Sequence, residues 1–143
     1  MTTYDQNNIF AKIVRGELPA HRVYEDDHAL AFLDIMPRAP GHTLIIPKAS
    51  ARNLLDVQPE ALAHVMRVAQ MVSKAAMKAF DADGITLQQF SEPAGGQEVM
   101  HLHVHVIPRK NGVMMKPPLS ERASPDVLAE HAQLLKGALG GLG

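Results

Sequence analysis

Apolar and polar positions along the chain repeat with two different periods, and the changes between them mark the elements. Ile9, Phe10 and Ile13 fall on one side of a short helix that Gly16 stops. Residues 21–25 and 29–34 read as two short strands split by the turn signal Asp26-Asp27. Residues 36–41 cannot continue a central strand, because Pro37 and Pro40 lack the N–H that a ladder needs. Residues 42–46, rich in β-branched side chains, form the next strand and end at Pro47. Gln58-Pro59 opens the longest helix, which runs to about Phe80; a proline suits a first turn, where its missing donor is not needed. Within it Leu62, Val65, Met66, Ala69, Val72, Ala76 and Met77 recur at three-and-four spacing, a stripe that packs against a sheet. Residues 85–90 and 99–108 are further strands, with a glycine-containing loop, 91–97, between them. Ser124 caps a last helix over residues 125–136, with Asp126 in its first turn. The glycine-rich residues 137–143 read as a frayed tail.

Strands outnumber helices and are joined mostly by short turns. The expected class is therefore α+β: an antiparallel sheet with one long helix across a face, in a single domain over residues 1–143.

Composition narrows the function classes. The chain has 143 residues, 46% apolar and 20% charged, close to globular averages and far from a disordered composition. Fourteen Lys plus Arg against fifteen Asp plus Glu give a net charge of −1, which argues against nucleic-acid binding through a broad basic surface. With no cysteine there is no disulfide framework, thiolate zinc site or cysteine nucleophile, and a reducing compartment fits. No apolar run approaches the ~18–20 residues that span a bilayer. The polar start lacks the basic region of a secretory signal, so a cytoplasmic protein with no membrane partner is expected. Aromatics are only 4% and tryptophan is absent, so Met, Leu, Ile and Val must fill the core.

Of eight histidines, three fall within five residues: His101-Leu102-His103-Val104-His105. On a strand, successive side chains point to opposite faces. The three imidazoles then share one face, while Leu102, Val104 and Val106 share the other, against the long helix. A lone histidine is ordinarily a surface or satisfied core residue. Three in alternation are not explained that way, since charged imidazoles repel and unpaired burial is costly. A metal site and phosphate chemistry remain. Three histidines with one water can hold zinc, but on a straight strand the outer pair lie about 13 Å apart at ~3.3 Å per residue. Closing them on one ion needs a bend, or two of them plus a distant ligand. Phosphate chemistry suits the neighbours better, because Gly95-Gly96 just upstream lets successive N–H groups converge on an anion.

With Gly96-Gln97 before it, this His-x-His-x-His run resembles the motif of the histidine triad (HIT) family of nucleotide hydrolases and transferases. The resemblance covers about residues 7–110, including 8–17, 23–25, 31–35 and 40–48. It implies a five-stranded antiparallel sheet with the long helix on one face and short helices at both ends. It implies that His103 is the nucleophile, attacking the α-phosphorus of a purine nucleotide to give a nucleotidyl-histidine that water hydrolyses. Imidazole suits that task, because its neutral form is nucleophilic near pH 7. His105 is expected to contact the phosphate or leaving group as an acidic donor, His101 to orient His103 through a ring hydrogen bond, and His42 to support them. Backbone donors around Gly96, Gln97, Glu98 and Val99 would hold the phosphoryl oxygens. Asp34 matches the ribose-binding acid, and Ile9, Phe10, Ile13, Phe32, Leu33 and Ile35 match the nucleobase cleft. Read without the resemblance, those six are core residues and Asp34 a turn former.

The chain departs from the family pattern in three places. Some relatives carry a metal-ligating cysteine near position 7, where this chain has Asn7. Phe90 stands where many members have an Asn, and Glu98 where branches carry Ser or Thr; a carboxylate there repels phosphate unless it turns outward. No metal and no cofactor are expected. The first functional expectation is hydrolysis of purine nucleoside phosphoramidates such as adenylyl-lysine. Dinucleoside polyphosphates, a binding or scaffolding role with incidental turnover, and a metal-dependent hydrolase are the alternatives. The family pairs as homodimers, sheet edge to sheet edge. Met66, Met71 and Met77 mark the long helix either as that interface or as packing on its own sheet. Residues 110–124 are expected to help select the leaving group.

Overall fold

Asn8 opens the first element. Its side-chain oxygen accepts a hydrogen bond from Ala11 N at 2.8 Å, satisfying a donor that the first turn of α1 (Ile9–Val14) leaves without a helical partner. Gly16, at φ +80, turns the chain out of that helix. The computed structural model describes residues 3–141. It continues through β1 (Arg22–Glu25), β2 (Ala29–Leu33), β3 (Thr43–Pro47), α2 (Pro59–Ala79), β4 (Gly84–Gln88), β5 (Val104–Arg109) and α3 (Pro125–Gly140). The five strands form one sheet in the order β1-β2-β3-β5-β4, with every neighbouring pair antiparallel. The architecture is the expected α+β one.

β2 and β3 are buried on both faces. On one face Ala29, Ala31, Ile45, Val104 and Val106 meet Val65, Val68, Ala69 and Val72 of α2. On the other, Leu30, Phe32, Leu44 and Ile46 meet Phe10 and Ile13 of α1. The register pairs Leu44 with His105 on β5, and Gln88 of β4 with His105 from the other side. Directly paired residues share a face. The α1 side of the sheet is therefore the side that carries His105. Among the described residues, no helix is long and apolar enough to cross a membrane.

Four sequence expectations are corrected. β5 begins at Val104 rather than Val99, so His101 and His103 precede the ladder and only His105 lies within it. β4 stops at Gln88, before Phe90. The buried stripe of α2 takes in Val68 and Ala75, while Met66 and Met77 stay 39% and 37% exposed. The small Ala75 and Ala76 admit α3, whose Leu128, Ala132, Leu135 and Ala138 cover that end of α2. This packing also explains α3 itself, which continues to Gly140 where a frayed tail was expected from 137. The apolar face that α3 buries, Leu128, Ala132, Leu135 and Ala138 together, carries the helix through Gly137 and Gly140, each of which costs about 1 kcal/mol in propensity. Residues 142–143 of that tail lie outside the described residues.

Candidate active site

The β2–β3 turn, the segment entering β5 and α1 converge on a cleft of about 330 Å³. Its apolar end is built by Ile9, Phe10 and Ile13 of α1, Phe32 of β2 and Ile35, all expected from the sequence. Phe10 meets Phe32 edge-on at 5.3 Å and the ring of His103 at 5.0 Å. Leu33 borders the cleft, but its side chain is 2% exposed and packs with Val23 and α3. Strand alternation sends it to the helix face, which removes it from the expected nucleobase wall. Asp34, His42, His103 and His105 stand at the polar end.

Partners fix the tautomer of every ring. The carbonyl of His101 can only accept, so His103 Nδ1, 2.7 Å away, carries the hydrogen and Nε2 keeps its lone pair. Arg38 N–H donates to His42 Nδ1 at 3.0 Å, so the hydrogen of His42 sits on Nε2. That N–H donates to His105 Nδ1 at 2.9 Å, leaving an N–H on His105 Nε2. Burial holds His42 and His105 down at about 3, and it lowers His103 as well, so the rings are neutral near pH 7. The site thus presents one unprotonated nitrogen, His103 Nε2, and one neutral N–H donor, His105 Nε2. The rings of His103 and His105 are 5.0 Å apart. The acidic donor expected at His105 is a neutral imidazole rather than an imidazolium.

His101 stands elsewhere. Its buried ring does not reach the cleft: Nε2–H donates to the Pro47 carbonyl at 2.8 Å, and Nδ1 accepts from the Tyr4 hydroxyl at 2.6 Å. Asn8 Nδ2 donates in turn to that hydroxyl at 2.9 Å. The orienting bond to His103 comes from the backbone carbonyl of His101, not from its ring. Its ring fixes the segment whose backbone holds His103.

The loop before the triad also differs from expectation. Glu92 at φ +68 opens a 3-10 turn, Pro93–Gly95, and Gly96 follows at φ +98. A Cβ on Gly96 would lie 3.3 Å from the Phe90 ring, so this position wants glycine on two counts. The amides of Gly95, Gly96 and Gln97 are tied back to Glu92 and Pro93 carbonyls, so they do not converge on an anion. Among the described residues, the amides of Glu98 and Val99 have no partner within the chain. Gly96, Glu98 and Val99 line the cleft. Gln97 does not: its buried amide donates to the Arg52 and Val99 carbonyls and accepts from Asn53 Nδ2 and Glu92 N. Arg52 grips Glu92 through two bonds of 2.7 and 3.0 Å, completing a lattice that pins the loop.

Asp34 faces the same end, with its carboxyl pKa raised by burial. Asp34, His42 and His105 each bring one ligand atom within 4.8 Å of the others, a candidate cation trio. The trio does not suit a metal. Ligation through His42 Nε2 would move the hydrogen to Nδ1, against the Arg38 N–H, setting two donors face to face.

Arg38, Met36, Leu44, Leu18, Pro19 and Ala20 also line the cleft and were not singled out from the sequence, whereas Pro118 and Leu119, which line it too, fall in the segment 110–124 expected to help select the leaving group. The one signal for Arg38 was a basic residue between Pro37 and Pro40, just before His42.

A family model for the HIT domain matches residues 15–112. A crystal structure of a Hit-like protein from Bartonella henselae superposes with a TM-score of 0.93 at 51% identity, covering 96% of this chain and 99% of that one. A histidine triad nucleotide-binding protein from Sulfolobus tokodaii superposes at 0.85 and 31% identity, covering 94% and 93%. Adenylylsulfatase HINT3 of Arabidopsis thaliana is 38% identical over 109 residues, 76% of this chain and 55% of that protein. With the triad in sequence, a five-stranded antiparallel sheet and a family match over residues 15–112, the chain belongs to the histidine triad (HIT) family.

Proposed function

We propose that the chain hydrolyses purine nucleoside phosphoramidates, such as adenylyl-lysine, at the α-phosphate through a nucleotidyl intermediate on His103. The observation that carries this reading is the commitment of His103 Nδ1 to the His101 carbonyl at 2.7 Å, which leaves Nε2 unprotonated beside the cleft. A base between Phe10, Phe32 and Ile13 and a ribose near Asp34 bring the α-phosphorus to that nitrogen. Attack forms the N–P bond as the bond to the leaving group breaks. The departing nitrogen takes a proton from His105 Nε2–H and leaves as the amine while His42 supports His105 from behind, and the water of the second half returns a proton to His105 Nε2. The amides of Glu98 and Val99 suit the phosphoryl oxygens as charge shifts. Water then attacks phosphorus and releases His103.

Likeness to an adenylylsulfatase supports nucleotidyl transfer, since that name also implies cleavage beside an adenylyl group. Dinucleoside polyphosphates are the second reading, favoured by the cationic Arg38 in the cleft wall. The test is AMP release from adenosine 5′-phosphoramidate. Wild type releases AMP and His103→Ala loses it by a factor of about 10³ or more. Release that survives the change removes His103 as nucleophile. Absence of release from wild type reduces the protein to a nucleotide binder.

A further inference from the structure

Beyond the triad, the cleft wall holds one group whose charge bears on what leaves. Among the described residues that line the cleft, Arg38 is the only Lys or Arg. Its side chain is held in place. Nε donates to the Lys116 carbonyl at 2.7 Å and Nη1 to Gln88 Oε1 at 3.2 Å. Gln88 is the ladder partner of His105, so the tethers place the guanidinium on the face, and at the end, where His105 points. The apolar end, by contrast, meets His103 through Phe10. Among the described residues, Nη2 has no partner within the chain, so three of the five N–H donors of the planar fork, two of them on Nη2, are uncommitted. The Arg38 charge also acts on the neighbouring rings: it adds to burial in keeping His42 neutral and, behind burial and the neighbouring His103 and His42, in keeping His105 neutral. Two carboxylates share the wall: Glu98 is exposed and its charge is screened by solvent, while burial raises the Asp34 carboxyl pKa and disfavours its charge.

We propose that Arg38 is the specificity-determining residue for the leaving group, its guanidinium receiving a tetrahedral oxyanion, sulfate or a phosphate chain, as it departs from the α-phosphate. The proposal rests on the nucleotidyl-transfer reading and deepens it. The two kinds of leaving group ask for different help. When a P–N bond breaks, the amine takes the electron pair and needs a proton. When a P–O bond to sulfate or phosphate breaks, the electron pair stays on oxygen and no proton is required. His103 Nε2 bonds to phosphorus in the same step, and the developing negative charge is met by the Arg38 fork.

The test compares kcat/KM for adenosine 5′-phosphosulfate, diadenosine tetraphosphate and adenosine 5′-phosphoramidate in wild type, Arg38→Gln and Arg38→Lys. The His42 tautomer rests on the Arg38 backbone N–H, which both variants keep. Arg38→Gln is expected to lower the ratio of oxyanion to phosphoramidate turnover roughly tenfold or more, the worth of a charge-assisted hydrogen bond. Arg38→Lys restores part of that ratio, because a point charge replaces the fork. A fall for only one of the two oxyanion substrates upholds the proposal and names sulfate or phosphate as the source. An unchanged ratio overturns it, as does a wild type that turns over the phosphoramidate and neither oxyanion substrate. Phosphoramidate turnover that persists in His103→Ala refutes the underlying reading instead.

Discussion

Three of the four rings have one nitrogen committed to a group that cannot exchange roles, the His101 carbonyl for His103, the Pro47 carbonyl for His101 and the Arg38 amide for His42, and His105 takes its tautomer from His42. Main-chain groups, not side chains, therefore decide which nitrogen is nucleophilic. The identity of the triad is legible in the alternation of residues 101–105. Its tautomers are not, because backbone carbonyls and amides leave no mark on a side-chain pattern, whether they stand two residues away, as for His103, or 54, as for His101. Tyr4 shows the same blindness: it lies 97 residues from its partner His101 and belongs to no periodic segment. Tyr4→Phe strands the buried Nδ1 of His101 without a donor. The expected cost is about 1–2 kcal/mol, read as a lowered urea midpoint. An unchanged midpoint would show that the hydroxyl holds nothing.

Elements sort by whether their cause is local. α1 and α2 are legible because period and caps act over a few residues, and β2 and β3 because their apolar runs are continuous. The entry to β5 misleads: the alternation of the triad looks like strand, yet the ladder with β3 reaches only from Val104 to Val106. The Glu92–Gln97 loop is held by Arg52 and Asn53, 39 to 45 residues away, through polar contacts with no sequence period. α2 shows a further consequence of local size. Its alanines admit α3, and Met66 and Met77 are left outward, while β4, an outer strand of the sheet, holds Leu87 at 45% exposed. We propose that this side pairs two copies of the chain, the partner a HIT homodimer would supply. Light scattering at micromolar concentration should then report twice the chain mass, and a mass of 15.6 kDa would contradict the pairing.

Taken whole, the fold keeps several imidazoles neutral inside it, and that makes its stability depend on pH. Unfolded histidines titrate near ~6.5. In the folded chain, burial holds His101 down to about 4, and His42 and His105 to about 3. Between those values the unfolded chain binds protons that the folded chain refuses. Stability therefore falls as pH drops below about 6.5, by up to ~1.4 kcal/mol per pH unit for each ring. The raised carboxyl pKa of Asp34 works in the opposite direction lower in the range. Urea midpoints should decline from pH 7 to pH 5, and a flat profile would mean that these rings are charged when folded. The most direct test of the central claim is to mix the protein with adenosine 5′-phosphoramidate, quench within one turnover in alkali, and find the mass of the peptide that carries the triad. One nucleotidyl group on His103 is the predicted result. AMP formed with no adduct, or an adduct on another residue, would contradict it.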